Sequence, residues 1–455
     1  MSLNAVLSRI DADIDTSTDR LKDLLRIQSI STDPAYKAQC RAAAEWLVAQ
    51  LTELGAEASI RETPGHPMVV GHTNGTGRHV LFYGHYDVQP VDPLHLWARD
   101  PFDPAIEDGA DGKVIRGRGA SDDKGQLMTF VEACRAWKAE RGDLPNVTFL
   151  FEGEEESGSP SLVPFLKDNT EELKADIALI CDTGLFAEDT PAIVTMLRGL
   201  VGEEITVHGP SKDLHSGLYG GVSMNPIRVL TRILGGLHDD EGRVQVPHFY
   251  DAVPELPEQL RAQWEALGFD AHRFLEGVGL KSPAGERDRT ALEQLWSRPT
   301  AEINGIWGGY TGAGFKTVLP AEAHAKVSFR LVGQQNPHEI REHFRKWVEA
   351  QLPEDCTVEF HAHGASPASQ MAIGDPAFES ARRALSDEWP HDAAYVGGGG
   401  SIPIAGYFKT HLEMDSMLIG FGKDDDQIHS PNEKYDMKSF HRGIRSWARI
   451  LDAIG

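Results

Sequence analysis

Four short apolar runs constrain this chain more than any other feature: HVLFY at 79–83, VTFLF at 147–151, IALIC at 177–181 and SMLIGF at 416–421. Each is too short for a globular helix and lacks the polar alternation of a half-exposed strand, so each is predicted to be a strand buried on both faces. Between the first two, Leu127, Phe130, Val131, Cys134 and Trp137 repeat at helical spacing. Strands alternating with helices leave an α/β architecture, with a mostly parallel sheet and helices on both faces. Upstream, Leu21, Leu24, Leu25, Ala43, Ala44, Leu47, Leu51 and Leu54 predict helical structure over 18–55, closing at Gly55.

The middle of the chain has another rhythm. A strand near 201–208 leads to a helix over 222–237; later come a strand at 324–332, a helix from 337 and a strand at 356–363. Asn336 as cap, Pro337 at the first position and Glu339 predict a capping box at that second helix. This order suggests an α+β unit of the ferredoxin-like kind, interrupted over 238–300 by an insertion of helices and loops. A chain of 455 residues exceeds what one core fills. The expected organisation is therefore one domain from 1–194 and 366–455, with a second domain, 195–365, inserted into it.

Composition narrows the partners. With 44 basic against 69 acidic side chains the formal net charge is -25, which repels phosphate backbones and anionic lipid, so neither nucleic acid nor membrane is an expected partner. No apolar run reaches the ~18 residues of a membrane span. The start, MSLNAVLSRIDADIDT, meets Arg9 and Asp11 too early for a signal-peptide core, so the cytoplasm is expected. Cys40, Cys134, Cys181 and Cys356 form no Cys-x-x-Cys pair and are expected to be buried thiols.

The chemistry lies just beyond the strands. HVLFY runs into Gly84-His85-Tyr86-Asp87, VTFLF into Glu154-Glu155-Glu156, IALIC into Asp182, and SMLIGFG through an acidic loop to His429. The carboxyl ends of parallel strands share one edge, where ligands bind in open α/β sheets. A fifth stretch, GRGASDDKGQ at 117–126, puts Asp122 and Asp123 before the Leu127 helix. Carboxylates there are commonly helix caps. Grouped with two imidazoles and further carboxylates, without cysteine, they make an oxygen and nitrogen donor set suited to Zn²⁺, Mn²⁺ or Co²⁺. In His85-x-Asp87 the aspartate is placed to hold the imidazole's second nitrogen.

These residues carry a resemblance. His85-Tyr-Asp87-Val, GRGASDDKGQ, EGEEESGS, DLHSGLYGG at 213–221, GYTGAGFKTVLP at 309–320, FRLV at 329–332, GGSIP at 399–403 and IHSPNEK at 428–434 resemble the M20 metallopeptidases. The likeness is to their carnosinase-like, cytosolic nonspecific dipeptidase branch, with the motifs in family order. It implies two divalent metal ions per subunit, zinc first, with manganese or cobalt as alternatives. His85 and Asp182 would bind one ion, Glu156 and His429 the other, and Asp122 both, with a cis peptide bond at Asp122-Asp123. Glu155 would be the general base acting on a water between the ions, supported by Asp87, with Glu154 facing solvent or backing the site.

The same resemblance implies that the inserted domain forms a homodimer and acts as a lid, and that His215 reaches the partner's active site to stabilise the oxyanion. Arg330 would take the substrate's carboxylate, helped by Ser401 and the Gly400 backbone; Asn225 and Thr311 would be further substrate contacts. Gly398 and Thr183 depart from the family's usual glutamate and asparagine. The expected activity is hydrolysis of dipeptides or short peptides with a free C-terminus. An N-acyl or N-carbamoyl amino acid substrate is the alternative, and a noncatalytic metal-stabilised binding protein the minor one.

Overall fold

In the computed structural model, which describes residues 2–371, 373–400 and 402–455, the apolar runs form the strands Val80–His85, Val147–Glu152, Ile177–Ile180 and Ser416–Leu418. Every residue in them is buried, as an unbroken apolar run requires. All four lie parallel in register: Val80 faces both Val147 and Ile177, and Ser416 faces Ala178. Their carboxyl ends therefore share one edge.

Outside this centre the sheet turns antiparallel. Glu57–Arg61 pairs with Met68–His72, which pairs with Val147–Glu152, and at the other side Ala192–Leu197 meets Ser416–Leu418 antiparallel. The expected parallel sheet is thus its four-stranded centre, with antiparallel strands added at both sides. The short link from Arg61 to Met68 leaves no room for a crossover helix, so those strands can only reverse direction.

The helix Lys124–Arg141 covers one face, stacking Phe130 on Phe82 at 3.8 Å between ring centres. Trp447, on the C-terminal helix Met437–Ile454, meets both rings edge-on at 5.7 and 5.4 Å. From the sheet, Tyr83 meets Phe408 edge-on. Truncating such a fully buried aromatic costs about 3–5 kcal/mol. The helical stretch near the N-terminus is two helices, Leu3–Leu25 and Lys37–Glu53, separated by a turn at Pro34–Tyr36. Gly55 closes the second at φ +88°, a conformation that side chains disfavour. Among the described residues no helix is long and apolar enough to cross a membrane.

The chain folds as two units, one of Met1–Thr195, Met371–Val396 and Tyr407–Gly455, the other of Met196–Gln370 and Gly397–Gly406. The second unit runs Gly199–His208, Pro226–Gly235, Thr300–Gly308, Glu322–Leu331, Pro337–Glu349, Thr357–Ser366 as strand, helix, strand, strand, helix, strand. Its antiparallel sheet has the spatial order Thr300–Gly308, Glu322–Leu331, Gly199–His208, Thr357–Ser366, the ferredoxin-like arrangement. Val229, Ile233, Ile340 and Phe344 pack on Val201, Ile205 and Phe329.

The strand Thr300–Gly308 escaped the sequence reading because its register shifts between Ile303 and Gly305 and most of its residues are exposed. The helix expected over 222–237 is shorter, since Asn225 caps it and Pro226 starts it. The capping box expected at Asn336 is only half made. Its side chain accepts from the His338 N–H, but Glu339 reaches the Asn336 side-chain amide instead of its backbone. A closed box occurs at Thr290 and Glu293.

Candidate metal centre and active site

At the carboxyl edge of the first unit's sheet, His85 and Asp182 extend from the ends of neighbouring strands and Asp122 enters from the loop before the Lys124–Arg141 helix. His85 Nε2 lies 3.0 Å from Asp122 Oδ1 and 3.9 Å from Asp182 Oδ2. On the other side of Asp122, His429 Nε2 lies 2.9 Å from its Oδ2 and 3.2 Å from Glu156 Oε2. The ligating atoms of His85, Asp122 and Asp182, and those of Asp122, Glu156 and His429, form two groups, each within 4.8 Å of one another. Both groups are hard-to-borderline donors, three at a time, sharing one carboxylate. That set fits divalent cations.

The protons report the same crowding. Burial would raise Asp122, yet hydrogen bonds from His429 and His85 hold it below the usual carboxylate range. Burial pushes Asp182 well up, against the attraction of His85. His85 is held well above the ordinary imidazole value, because Asp122 and Asp87 outweigh its burial. His429 is raised to about 10, chiefly by hydrogen bonds to Asp122 and Glu156.

Local folding explains how three consecutive glutamates coexist. After Val147–Glu152 the chain makes a 3₁₀ turn over Glu155–Ser157 that ends at Gly158, φ +89°. Asp87 organises that turn: one of its carboxylate oxygens accepts the Glu155 N–H at 3.2 Å and the other the Glu156 N–H at 3.0 Å. Asp87 also faces His85 Nδ1, through its backbone carbonyl at 3.1 Å and its carboxylate at 3.4 Å. One buried aspartate thus orients an imidazole and two glutamates. Glu156 is further held by Gln89 Nε2 at 2.7 Å. Burial pushes the Glu155 carboxyl up, opposed by His85 and reinforced by Glu156, Asp87 and Asp122. Glu154 does not face solvent: it is 3% exposed and accepts from the His66 and Ser161 N–H groups.

Sequence reading missed the support beneath Asp122. Glu433 is fully buried and accepts from the N–H groups of Gly119, Ser121 and Asp122 and from Arg118. Its only signal was its place in IHSPNEK, four residues after His429. Asp123 Oδ2 accepts the His85 N–H at 3.0 Å, and the Asp122-Asp123 bond is cis. Lys434, by contrast, fills a third acidic group of Asp425, Asp426 and Asp436 with its own ammonium.

The remaining residues belong to the second unit. His215 is exposed; its Nδ1 accepts from the Gly217 N–H, and its strand pairs it with Val318. Asn225 Oδ1 caps its helix through the Ile227 N–H. Arg330 is half-buried beside Arg198, and Thr311 and Gly400 are exposed. Ser401 lies outside the described residues.

A cation-binding cluster on the carboxyl edge of an α/β sheet, with a spare carboxylate beside it, defines a metallohydrolase. The chain matches the model of peptidase family M20/M25/M40 over residues 81–453 and belongs to that family. It is accordingly a metallopeptidase. It is 31% identical to the Cys-Gly metallodipeptidase of Schizosaccharomyces pombe, over 98% of this chain and 97% of that protein. To the human Beta-Ala-His dipeptidase it is 29% identical, over 99% and 92%. The fold is similar to an M20 family metallo-carboxypeptidase of Sulfolobus solfataricus, with a TM-score of 0.80, 31% identity and coverage of 96% and 99%.

Proposed function

We propose that the chain hydrolyses dipeptides or short peptides with a free C-terminus at a site holding two divalent ions, with Glu155 as general base. The observation that carries this reading is the pair of three-residue donor groups sharing Asp122, with the Glu155 carboxylate next to them in sequence and free of the backbone bonds that occupy Glu154. His85 and Asp182 would hold one ion and Glu156 and His429 the other, with Asp122 common to the two donor groups. Bound there, divalent ions supply Lewis acidity to the scissile carbonyl and acidify the attacking water. Glu155 takes that water's proton and returns it to the leaving amine nitrogen as the C–N bond breaks.

Arg330 takes the substrate's carboxylate, with Gly400, Ser401, Asn225 and Thr311 as further contacts. His215 serves as an oxyanion donor supplied across a homodimer. An exposed apolar surface on the second unit, including Leu218, Val222, Trp307 and Phe315, supports such a dimer. The relatives' names, Cys-Gly and Beta-Ala-His dipeptidase, support the dipeptide reading. Cytoplasmic residence is supported by four buried free thiols. The exchange to Gly398 favours a second substrate class, N-acyl or N-carbamoyl amino acids, which lack a free amine.

The deciding experiment is a rate screen of dipeptides, tripeptides and N-acyl amino acids with zinc, manganese or cobalt. Dipeptide turnover at least as fast as that of the acylated compounds is expected. Selectivity for acylated amines would replace the first reading with the second.

A further inference from the structure

Within the second unit, the Arg330 side chain has no hydrogen-bond or ion-pair partner among the described residues, and a second arginine stands beside it. Arg198 and Arg330 line one cavity of about 850 Å³, whose lining also carries Asp239, Asp240, Glu286 and Glu302 and the further cations Arg287 and Arg298. Among the described residues no carboxylate forms an ion pair with either guanidinium. Arg198 instead grips the glycine run: its Nε donates to the Gly399 carbonyl at 3.0 Å, its backbone N–H to the Gly400 carbonyl at 3.2 Å, and its Nη1 to the Gln294 carbonyl at 3.4 Å. The run is seated closely there. A Cβ on Gly397 would lie 2.3 Å from that of Trp296, and one on Gly399 would lie 3.2 Å from Arg198 Nη2.

We infer that Arg198 is a positioning residue for the carboxylate site: it fixes the Gly399–Gly400 peptides beside Arg330 and adds a second positive charge that selects a free carboxylate. This rests on the proposed reading of Arg330. Two half-buried cations repel, and burial with the nearby Arg330 lowers the Arg198 pKa to about 10 against the attraction of Glu302. An anion between them relieves both costs, since charge-assisted bonds to arginine are the strong ones. An arginine that merely stapled the loop would need no unpaired cation next to it.

The test compares acids with their amides on the metal-loaded protein: alanylglycine against alanylglycinamide, and N-acetylglycine against its amide, by steady-state kinetics and by calorimetric binding. Wild type is expected to prefer each acid it accepts. Arg198→Met is expected to reduce that preference by roughly 10- to 100-fold, mainly through KM, the scale of a charged hydrogen bond. Arg198→Lys keeps the charge without the paired carbonyl bonds and should recover part of it. Equal weakening of acid and amide by both variants would mark a purely structural role and overturn the inference. So would an undiminished preference in Arg198→Met, or a wild type that binds neither acid better than its amide. Preference lost in the variants while wild type binds but never cleaves alanylglycine would sustain Arg198 and sink the dipeptidase reading.

Discussion

The candidate site residues of the two units are held in opposite ways. At the sheet edge of the first, Asp122, Glu156 and His85 are held by side chains that are themselves held: Glu433 receives four hydrogen bonds, and Asp87 braces three residues at once. In the second, the His215 side chain keeps one ring nitrogen on Gly217 and is otherwise exposed, and the Arg330 side chain forms no hydrogen bond or ion pair among the described residues. Bond-breaking chemistry needs donors fixed before the substrate arrives, because reorganising them during reaction would add to the barrier. Recognition of a substrate end needs the reverse, a charge left unsatisfied until the ligand satisfies it.

The contrast can be broken most severely by removing cations. Dialysis against a chelator should abolish turnover, and adding back zinc, manganese or cobalt should restore it, measured as rate against metal content. Unchanged activity in the metal-free protein would remove the first unit's assigned chemistry. Next in size, Glu155→Gln should lower kcat by roughly 10²- to 10⁴-fold while metal content stays at the wild-type level. Near wild-type turnover would mean another group moves the proton.

In the second unit, His215→Ala should lower kcat by about 10²- to 10³-fold with metal content intact, the usual scale for a lost oxyanion donor. A fully active monomer, seen by sedimentation together with kinetics, would contradict the dimer reading. The smallest effect sharpens the contrast inside the glutamate run. Glu154→Gln replaces one of two backbone acceptors with a donor, so urea unfolding should show a loss of about 1–3 kcal/mol while kcat stays within a few-fold. A collapse of kcat in that variant, with stability unchanged, would shift the catalytic register by one residue.

Much of the site was legible because its residues follow strands that are themselves unmistakable. An unbroken apolar run ends where polarity returns, so His85, the glutamates and Asp182 could be assigned to strand ends, and His429 to the loop beyond one, without coordinates. The mixed edge of the sheet was less legible: no residue of Glu57–Arg61 is fully buried, and its pairing follows from a short connection instead of an apolar run. Asp123 was visible only as the neighbour of Asp122, yet it is fully buried and holds the His85 N–H.

From the sequence by itself came the strand-and-helix alternation, the donor types and their order, because hydrophobic periodicity and ligand chemistry are local properties of residues. The resemblance had grouped Glu156 with His429; only the tertiary structure decided where Glu154 points. A 3₁₀ turn has neither the period of a strand nor that of a helix, so nothing in EGEEESGS says that Glu154 turns toward His66 and Ser161. Nor could spacing foretell that Glu433, more than three hundred residues away in the chain, would hold the Asp122 loop by four hydrogen bonds. Those bonds depend on buried backbone N–H groups finding the nearest acceptor in space, and nearness in space is settled by packing.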